Sequence, residues 1–509
     1  MKRYKKANEG IHAPEEAKEK AARSAGKRSR ARWAGAAAVL AAVLLAGTAF
    51  RPGGWLHRAV TLPYNFTVRT GRATTLAAAQ YPEMARRPDI DDYTAPIIRT
   101  VDHDKYSEAY DAWQESREAL ASGLEYAGLM DGFLSASTAQ FLVGAGAENR
   151  VWSPLNVYMA LSMLAETAGG NSRQQLLDLL GAGSIESLRT VANALWRDNY
   201  RDDGQTASIL ANSLWLNDTL GGHYVQDTLN TLARDYYASS FSGEMGSREY
   251  DQALRDWINE QTHGLLKDAA DGLEMDPNTV LGLASTVYFK AGWAVKFEKK
   301  NTWADTFHAP GRDVTVDFMH DSRHQTYYWG DRFSAVSLNF EGYECEMWLI
   351  LPDEGYSPDD LLTSGEAVEF LLADKTWTYG DDGEDQTSDW MDQKHLLVNI
   401  ALPKFDVSSG MDLIGGLQSL GVTDIFDYSV SDFTPLADLP DIYVSQLIHA
   451  ARVTADEEKV EAAAFTFGDP AVAEAPLTDE VDFILDRPFL FAVTGPSGLP
   501  LFTGVVNQP

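Results

Sequence analysis

Phe483-Ile484-Leu485-Asp486-Arg487-Pro488-Phe489-Leu490-Phe491 is the stretch on which the reading of this chain turns. Apolar and aromatic residues run through it as far as Val493, the composition of a strand buried on both faces. Working outward, residues 346–351, 395–402, 280–289 and 207–216 have the same character. Each is short and rich in Val, Ile, Leu and aromatics, and turns such as Pro352-Asp353-Glu354-Gly355 punctuate them. Earlier in the chain the period changes. Leu124, Ala127, Leu129, Phe133 and Leu134 fall near helical spacing, and helices are expected over residues 155–166 and 172–180. Helices gathered early and strands late, without regular alternation, give an α+β layout. The acidic run 380–389 reads as a solvated surface loop.

Composition narrows the function. A chain of 509 residues with 45% hydrophobic and 11% aromatic residues has ample material for a large core. Its formal charge of −32 excludes a nucleic-acid binder, which needs clustered Lys and Arg to meet phosphates. The single cysteine, Cys345, rules out an internal disulfide. Its setting between Glu344 and Glu346 suggests a strand residue that packs rather than reacts, because acidic neighbours raise a thiol's pKa.

The N-terminus departs from the acidic average. Residues 1–32 form a basic leader, and the uncharged stretch 33–50 follows at once. That stretch is just long enough to cross a hydrocarbon core of ~30 Å. Basic residues ahead of it keep the leader in the cytoplasm and send the rest of the chain across the membrane. Two outcomes stay open. A signal peptide would be cut after Gly47-Thr48-Ala49, whereas the length of the leader favours an uncleaved anchor. Residues 51–120 carry no sustained apolar period and read as a tether of mixed order ahead of a main body at 121–509. The main body is therefore expected to be extracytoplasmic, membrane-anchored or secreted.

Enzyme motifs are absent. The chain has no His-Glu-x-x-His and no Walker A, and Gly495-Pro496-Ser497-Gly498-Leu499 lacks the last glycine of a nucleophile elbow. Gly144-Ala145-Gly146 lacks the third glycine of a dinucleotide loop. No metal site and no cofactor is expected.

Four separated segments resemble the serpin family, in that family's order. They are Ser153-Pro154-Leu155-Asn156 continuing to Asn171-Ser172-Arg173-Gln174-Gln175-Leu176, then Phe289-Lys290-Ala291-Gly292-Trp293, then Leu349-Ile350-Leu351-Pro352-Asp353-Glu354-Gly355, and the C-terminal stretch quoted above. The resemblance covers roughly residues 122–509. It implies helices packed on three β-sheets with an exposed reactive-centre loop, and an exported or membrane-tethered member of bacterial type. On physical grounds Ser153 reads as a helix cap with Pro154 in the first turn, and Trp293 and His449 read as core residues. The resemblance adds that Ser153, Asn156, Ser285 and His449 form a polar cluster beneath the central sheet that governs its opening. Ser285 stands where many serpins have asparagine.

The resemblance also places a hinge at Glu457-Glu458-Lys459-Val460-Glu461-Ala462-Ala463-Ala464-Phe465-Thr466. A protease acylates the loop beyond such a hinge, and the cut loop enters the sheet as a new strand, carrying the protease with it. Inserting residues alternate faces. Val460, Ala462, Ala464 and Thr466 fall on one face and are all small or apolar, while Lys459, Glu461, Ala463, Phe465 and Phe467 fall on the other. Lys459 replaces the family's usual glycine and costs hinge freedom. Pro470 deletes one ladder hydrogen bond.

Two counts locate the reactive bond differently. Counting from the hinge gives Ala473–Glu474; counting back from Pro488 gives Leu477–Thr478 as second choice. The hinge count is preferred because sheet height fixes the length that inserts, whereas extra residues beyond it only lengthen a loop. Ala473 suits an elastase- or subtilisin-like serine protease. The expected function is suicide inhibition of such a protease, not enzymatic turnover. A non-inhibitory serpin acting as a binding module and an exported hydrolase without a recognisable motif are the rivals.

Overall fold

The computed structural model describes residues 73–94, 100–376, 378–379, 386–457 and 479–509. Strand β1 (Thr74–Ala77) and helix α1 (His103–Glu118) precede the body. Helix α2 (Asp131–Leu142) leads through β2 (Arg150–Trp152) into α3 (Pro154–Thr167), α4 (Gly170–Leu179) and α5 (Ile185–Asn199). Next come β3 (Arg201–Asp202), β4 (Ala207–Asn217), α6 (Gln226–Asp235), β5 (Ala238–Gly243), α7 (Arg248–Gln261), α8 (Lys267–Ala270) and β6 (Leu281–Lys290). Strands dominate the remainder. They are β7 (Thr302–Ala309), β8 (Arg312–Trp329), β9 (Phe333–Asn339) and β10 (Glu346–Pro352), then short helices α9 (Pro358–Ser364) and α10 (Glu366–Leu372). The small pair β11 (Thr378–Tyr379) and β12 (Gln386–Thr387) is followed by β13 (Gln393–Pro403), β14 (Phe405–Asp412) and helix α11 (Ile414–Ser419). Strands β15 (Ile448–Ala455), β16 (Glu480–Ile484), β17 (Phe489–Thr494) and β18 (Pro500–Val506) close the chain.

The strands assort into two large sheets. A five-stranded sheet runs β1-β5-β4, with β3 and β6 also on β4. A nine-stranded sheet runs β16-β13-β8-β9-β10-β17-β18-β2, with β7 also on β8. The hairpin β14–β15 forms its own ladder. Among the described residues no ladder joins β6 to β15, so both strands keep an open edge.

Helix α3 lies at the centre of this arrangement. All its residues are buried, the condition that favours a helix apolar nearly all round. The C-terminal stretch builds the second sheet: Phe491 stands opposite Leu349 across the β10–β17 ladder. Two of the expected elements differ. The single strand expected through 483–493 is two strands, because Pro488 has no N–H for a ladder and the chain turns there. The helix expected from Leu124 begins only at Asp131, since Gly123 and Gly128 adopt left-handed φ of 68° and 77° that a helix does not allow. Cys345 sits just before β10 rather than within it, and burial first of all pushes its thiol up to about 12.

The stretch 51–120, expected to be a tether, packs against the body at several points among its described residues. β1 pairs with β5, and Trp113 of α1 is buried. A few isolated aromatic anchors hold it, and these produce no apolar period in the sequence. The leader and the apolar segment 33–50 lie outside the described residues. Among the described residues no helix is long and apolar enough to cross a membrane.

Candidate functional site

The start of helix α3 holds both open edges, toward β6 through the Asn156 side chain and toward β15 through the backbone N–H of its N-cap residue Ser153. Asn156 donates from Nδ2 to the Ser285 carbonyl of β6 at 3.1 Å. The Ser285 hydroxyl lies against Asn156 Oδ1 and within 2.6 Å of Asn212 Oδ1 on β4. On the other side, the Ser153 N–H donates to His449 Nε2 of β15 at 3.1 Å. The four residues expected to form the cluster are therefore brought together, with Asn212 as a fifth member that sequence reasoning missed. One expectation needs correcting. Ser153 occupies the N-cap position, yet its hydroxyl does not cap the helix; it donates to the Leu501 carbonyl of β18 at 2.7 Å. Pro154 fills the first turn as expected. The cluster spans helix, both flanking strands and the second sheet, so β6 and β15 cannot part without breaking one of its bonds.

His449 is buried against the edge of Trp152, with ring centroids 5.0 Å apart. Because Nε2 accepts from Ser153, the neutral ring carries its proton on Nδ1. Burial lowers its pKa to about 4.

A second set of contacts lies where β6 and β15 end. Both strands run toward a cavity of ≈ 200 Å³ lined by Tyr288, Phe289 and Lys290 on one side and Val453, Thr454 and Ala455 on the other. Trp293 closes it, stacked on Phe340 at 4.9 Å and donating from Nε1 to the Asp456 carbonyl at 2.9 Å. Glu457, the one hinge residue that is described, pairs with Lys404 at 2.7 Å. Burial raises the Glu457 pKa, but the bonds from Lys404 and Thr302 outweigh it and leave the carboxyl below its ordinary value. Lys404 was also missed. Its signal was a lone charge inside the apolar run Leu402-Pro403-Lys404-Phe405.

The rest of the expected hinge, Glu458, Lys459, Val460, Glu461, Ala462, Ala463, Ala464, Phe465 and Thr466, lies outside the described residues. So do both candidate bonds, Ala473–Glu474 and Leu477–Thr478. β15 ends at Ala455, and Asp456 and Glu457 follow it beside the cavity between the two unpaired edges. A family model for Serpin (serine protease inhibitor) matches residues 134–509.

The chain belongs to the serpin family.

Curated relatives agree. Serpin-Z2B of Triticum aestivum is 29% identical, covering 71% of this chain and 90% of its own length. Leukocyte elastase inhibitor of Equus caballus is 29% identical, covering 70% and 92%. Among solved structures, the thermophilic serpin tengpin in its native state superposes with a TM-score of 0.63 at 25% identity, covering 75% of this chain and 94% of that one. Arabidopsis AtSerpin1 in its native stressed conformation gives 0.61 at 25% identity, covering 77% and 98%. The serpin fold expected from the four segments is the fold observed.

Two consequences follow from the site's electrostatics. The folded pKa of His449 lies below the ordinary 6.5, so as pH falls the unfolded chain takes up the proton first. The contribution of neutral His449 is whole above pH 6.5 and is lost as pH falls toward about 4. Over that window the unfolding free energy of wild type should fall more steeply than that of His449→Gln, by up to ~1.4 kcal/mol per pH unit. Urea midpoints across the range check this, and parallel slopes would contradict it. Glu457→Gln removes the charge that pairs with half-exposed Lys404, and should lower the unfolding free energy by ~1–2 kcal/mol. An unchanged urea midpoint would mean that the pair contributes nothing.

Proposed function

We propose that this serpin is an inhibitor of serine proteases that works by inserting its cleaved loop between β6 and β15. The observation that carries the reading is the pair of unpaired edges, which end at a cavity beside Glu457, the first residue of the expected hinge. A strand returning from Glu457 into that space would run antiparallel to both edges and complete two rows of backbone hydrogen bonds. The residue alternation supports the same reading. Val460, Ala462, Ala464 and Thr466 would turn small, uncharged side chains toward the core.

Ala473–Glu474 is the proposed bait bond, which suits the shallow pocket of an elastase- or subtilisin-like protease. Relatives named leukocyte elastase inhibitor are consistent with that choice. The basic leader and the apolar stretch 33–50 support an extracytoplasmic placement, anchored or secreted. Lys459 favours a second reading, a non-inhibitory serpin that binds without trapping, because it removes the freedom that glycine would give the hinge. An exported hydrolase loses its ground, as membership of the serpin family accounts for residues 134–509.

Incubation with pancreatic elastase or subtilisin, followed by a denaturing gel, separates the two serpin readings. Inhibition predicts a covalent complex and a released C-terminal fragment beginning at Glu474 by mass spectrometry. Cleavage without complex contradicts inhibition, and a fragment beginning at Thr478 moves the bond to Leu477–Thr478. Ala464→Arg places an unpaired charge on the face that must bury, a cost of several kcal/mol. The variant should stay folded and be cut as a substrate. Trapping at the wild-type stoichiometry would overturn the face assignment.

A further inference from the structure

The outward face of the nine-stranded sheet carries two histidines that the proposed mechanism does not use. His324 of β8 stands opposite Leu397, and His395 of β13 stands opposite Thr326. Side chains alternate along a strand, so the two lie on one face, at diagonal positions of adjacent strands. Leu396 and Val398 point the other way and are buried in the core, which leaves both imidazoles exposed to solvent. Their ring centroids are 6.4 Å apart, with the planes inclined by 26°. No spacing in the sequence marks the pair, because the strands that join them are distant in the chain.

Polar residues beside the pair are satisfied, and the pair is not. In the next row of the same face, the Ser322 hydroxyl donates to Asn399 Oδ1, and Asn399 Nδ2 donates to Asp482 Oδ1 of β16, both at 2.8 Å. Among the described residues neither His324 nor His395 has a hydrogen-bond or ion-pair partner. The charge around them is negative. β13 pairs in parallel with β16, which places Glu480 beside Leu397 and Asp482 beside Asn399 on this face. Lys394 and Arg323 belong to the opposite faces of β13 and β8, where they pair with Asp479 and Asp321. Two solvent-facing imidazoles in a negative field suit a cation that accepts nitrogen ligands.

The separation of the rings fits one ion. Two imidazoles on a tetrahedral Zn²⁺ have centroids ~5 Å apart, given Zn–N bonds of ~2.0–2.1 Å. Rotation about the side-chain bonds closes the remaining difference, and exposed rings without other partners can make it. Among the described residues no third His, Cys, Asp or Glu completes a cluster. Water would hold the other positions, the pattern of an open, exchangeable site rather than a closed structural one.

We propose that His324 and His395 together bind one divalent transition-metal ion, Zn²⁺ foremost, across β8 and β13. Mg²⁺ and Ca²⁺ take oxygen ligands and do not suit two imidazoles. β16 follows the expected reactive bond in the chain and pairs with β13, so the ion sits beside the far end of the reactive loop. The proposal does not depend on the insertion reading, as neither β8 nor β13 borders the gap between β6 and β15.

The test uses the full chain, stripped of metal by a chelator and titrated calorimetrically with Zn²⁺ in the presence of excess Mg²⁺. Wild type should bind one Zn²⁺ that His324→Ala and His395→Ala each weaken by at least about tenfold, since even a partner behind a ligand changes metal affinity ~10–100-fold. His308→Ala, which removes an exposed histidine of β7, should leave that affinity unchanged. Because both imidazoles are exposed, the two variants should unfold at the wild-type urea midpoint without metal. Added Zn²⁺ should raise the midpoint of wild type and not that of either variant. Wild type that binds no Zn²⁺ overturns the site. So does binding that Mg²⁺ displaces, or that keeps wild-type affinity in both variants.

Discussion

Two strand edges that face each other without pairing are the constraint on which the rest of this structure depends. β6 and β15 run the same way, end at one cavity, and are held by the same helix rather than by each other. Open edges of this kind are a liability in most folds, because they invite another strand. Here the burden of holding the gap falls on a few polar contacts: Asn156 and Ser285 toward β6, and Ser153 and His449 toward β15. Each is a hydrogen bond of ordinary strength, contributing ~0.5–1.5 kcal/mol net. A ladder along a whole strand offers many more.

That imbalance gives the proposed mechanism its direction. A native state held by a handful of bonds against a larger set still unmade is kinetically maintained, and its lifetime is set by a barrier. In the proposed mechanism the contacts at the gap's mouth would sit on that barrier. Trp293 bonds to the backbone of Asp456, and Lys404 bonds to Glu457, at the point where an entering strand would first separate β6 from β15. Ser285, which stands where many serpins have asparagine, still reaches both Asn156 and Asn212 through one hydroxyl. The shorter side chain offers one proton to two amide oxygens, which leaves this cluster with fewer donors than an asparagine would provide.

Much of this was legible in the sequence. The apolar run of α3, the buried strands β4, β10 and β17, and the presence of β6 and β13 follow from composition and period alone, although β6 is mostly half-buried. Other parts could not be read that way. The pairing of Lys404 with Glu457 joins single charges far apart in the chain, and no local pattern marks it. Ser153 looked like a cap because its neighbours suit a helix start, but a buried carbonyl of β18 competes for its hydroxyl and wins. The docking of residues 73–94 and 100–120 on the body was missed for a related reason. Tyr81 and Trp113 are isolated anchors in a polar stretch, and a segment that docks through two aromatics leaves no periodic signature. Periodicity reports faces buried along a whole element. It is blind to contacts made one residue at a time.

The central claim is that the intact fold is held short of its most stable arrangement and that cutting the loop releases it. Thermal unfolding of the same preparation before and after cleavage at the bait bond tests this most directly. If the cut loop completes the sheet between β6 and β15, the cleaved protein unfolds at a markedly higher temperature than the intact one. Equal midpoints for the two forms would contradict the account.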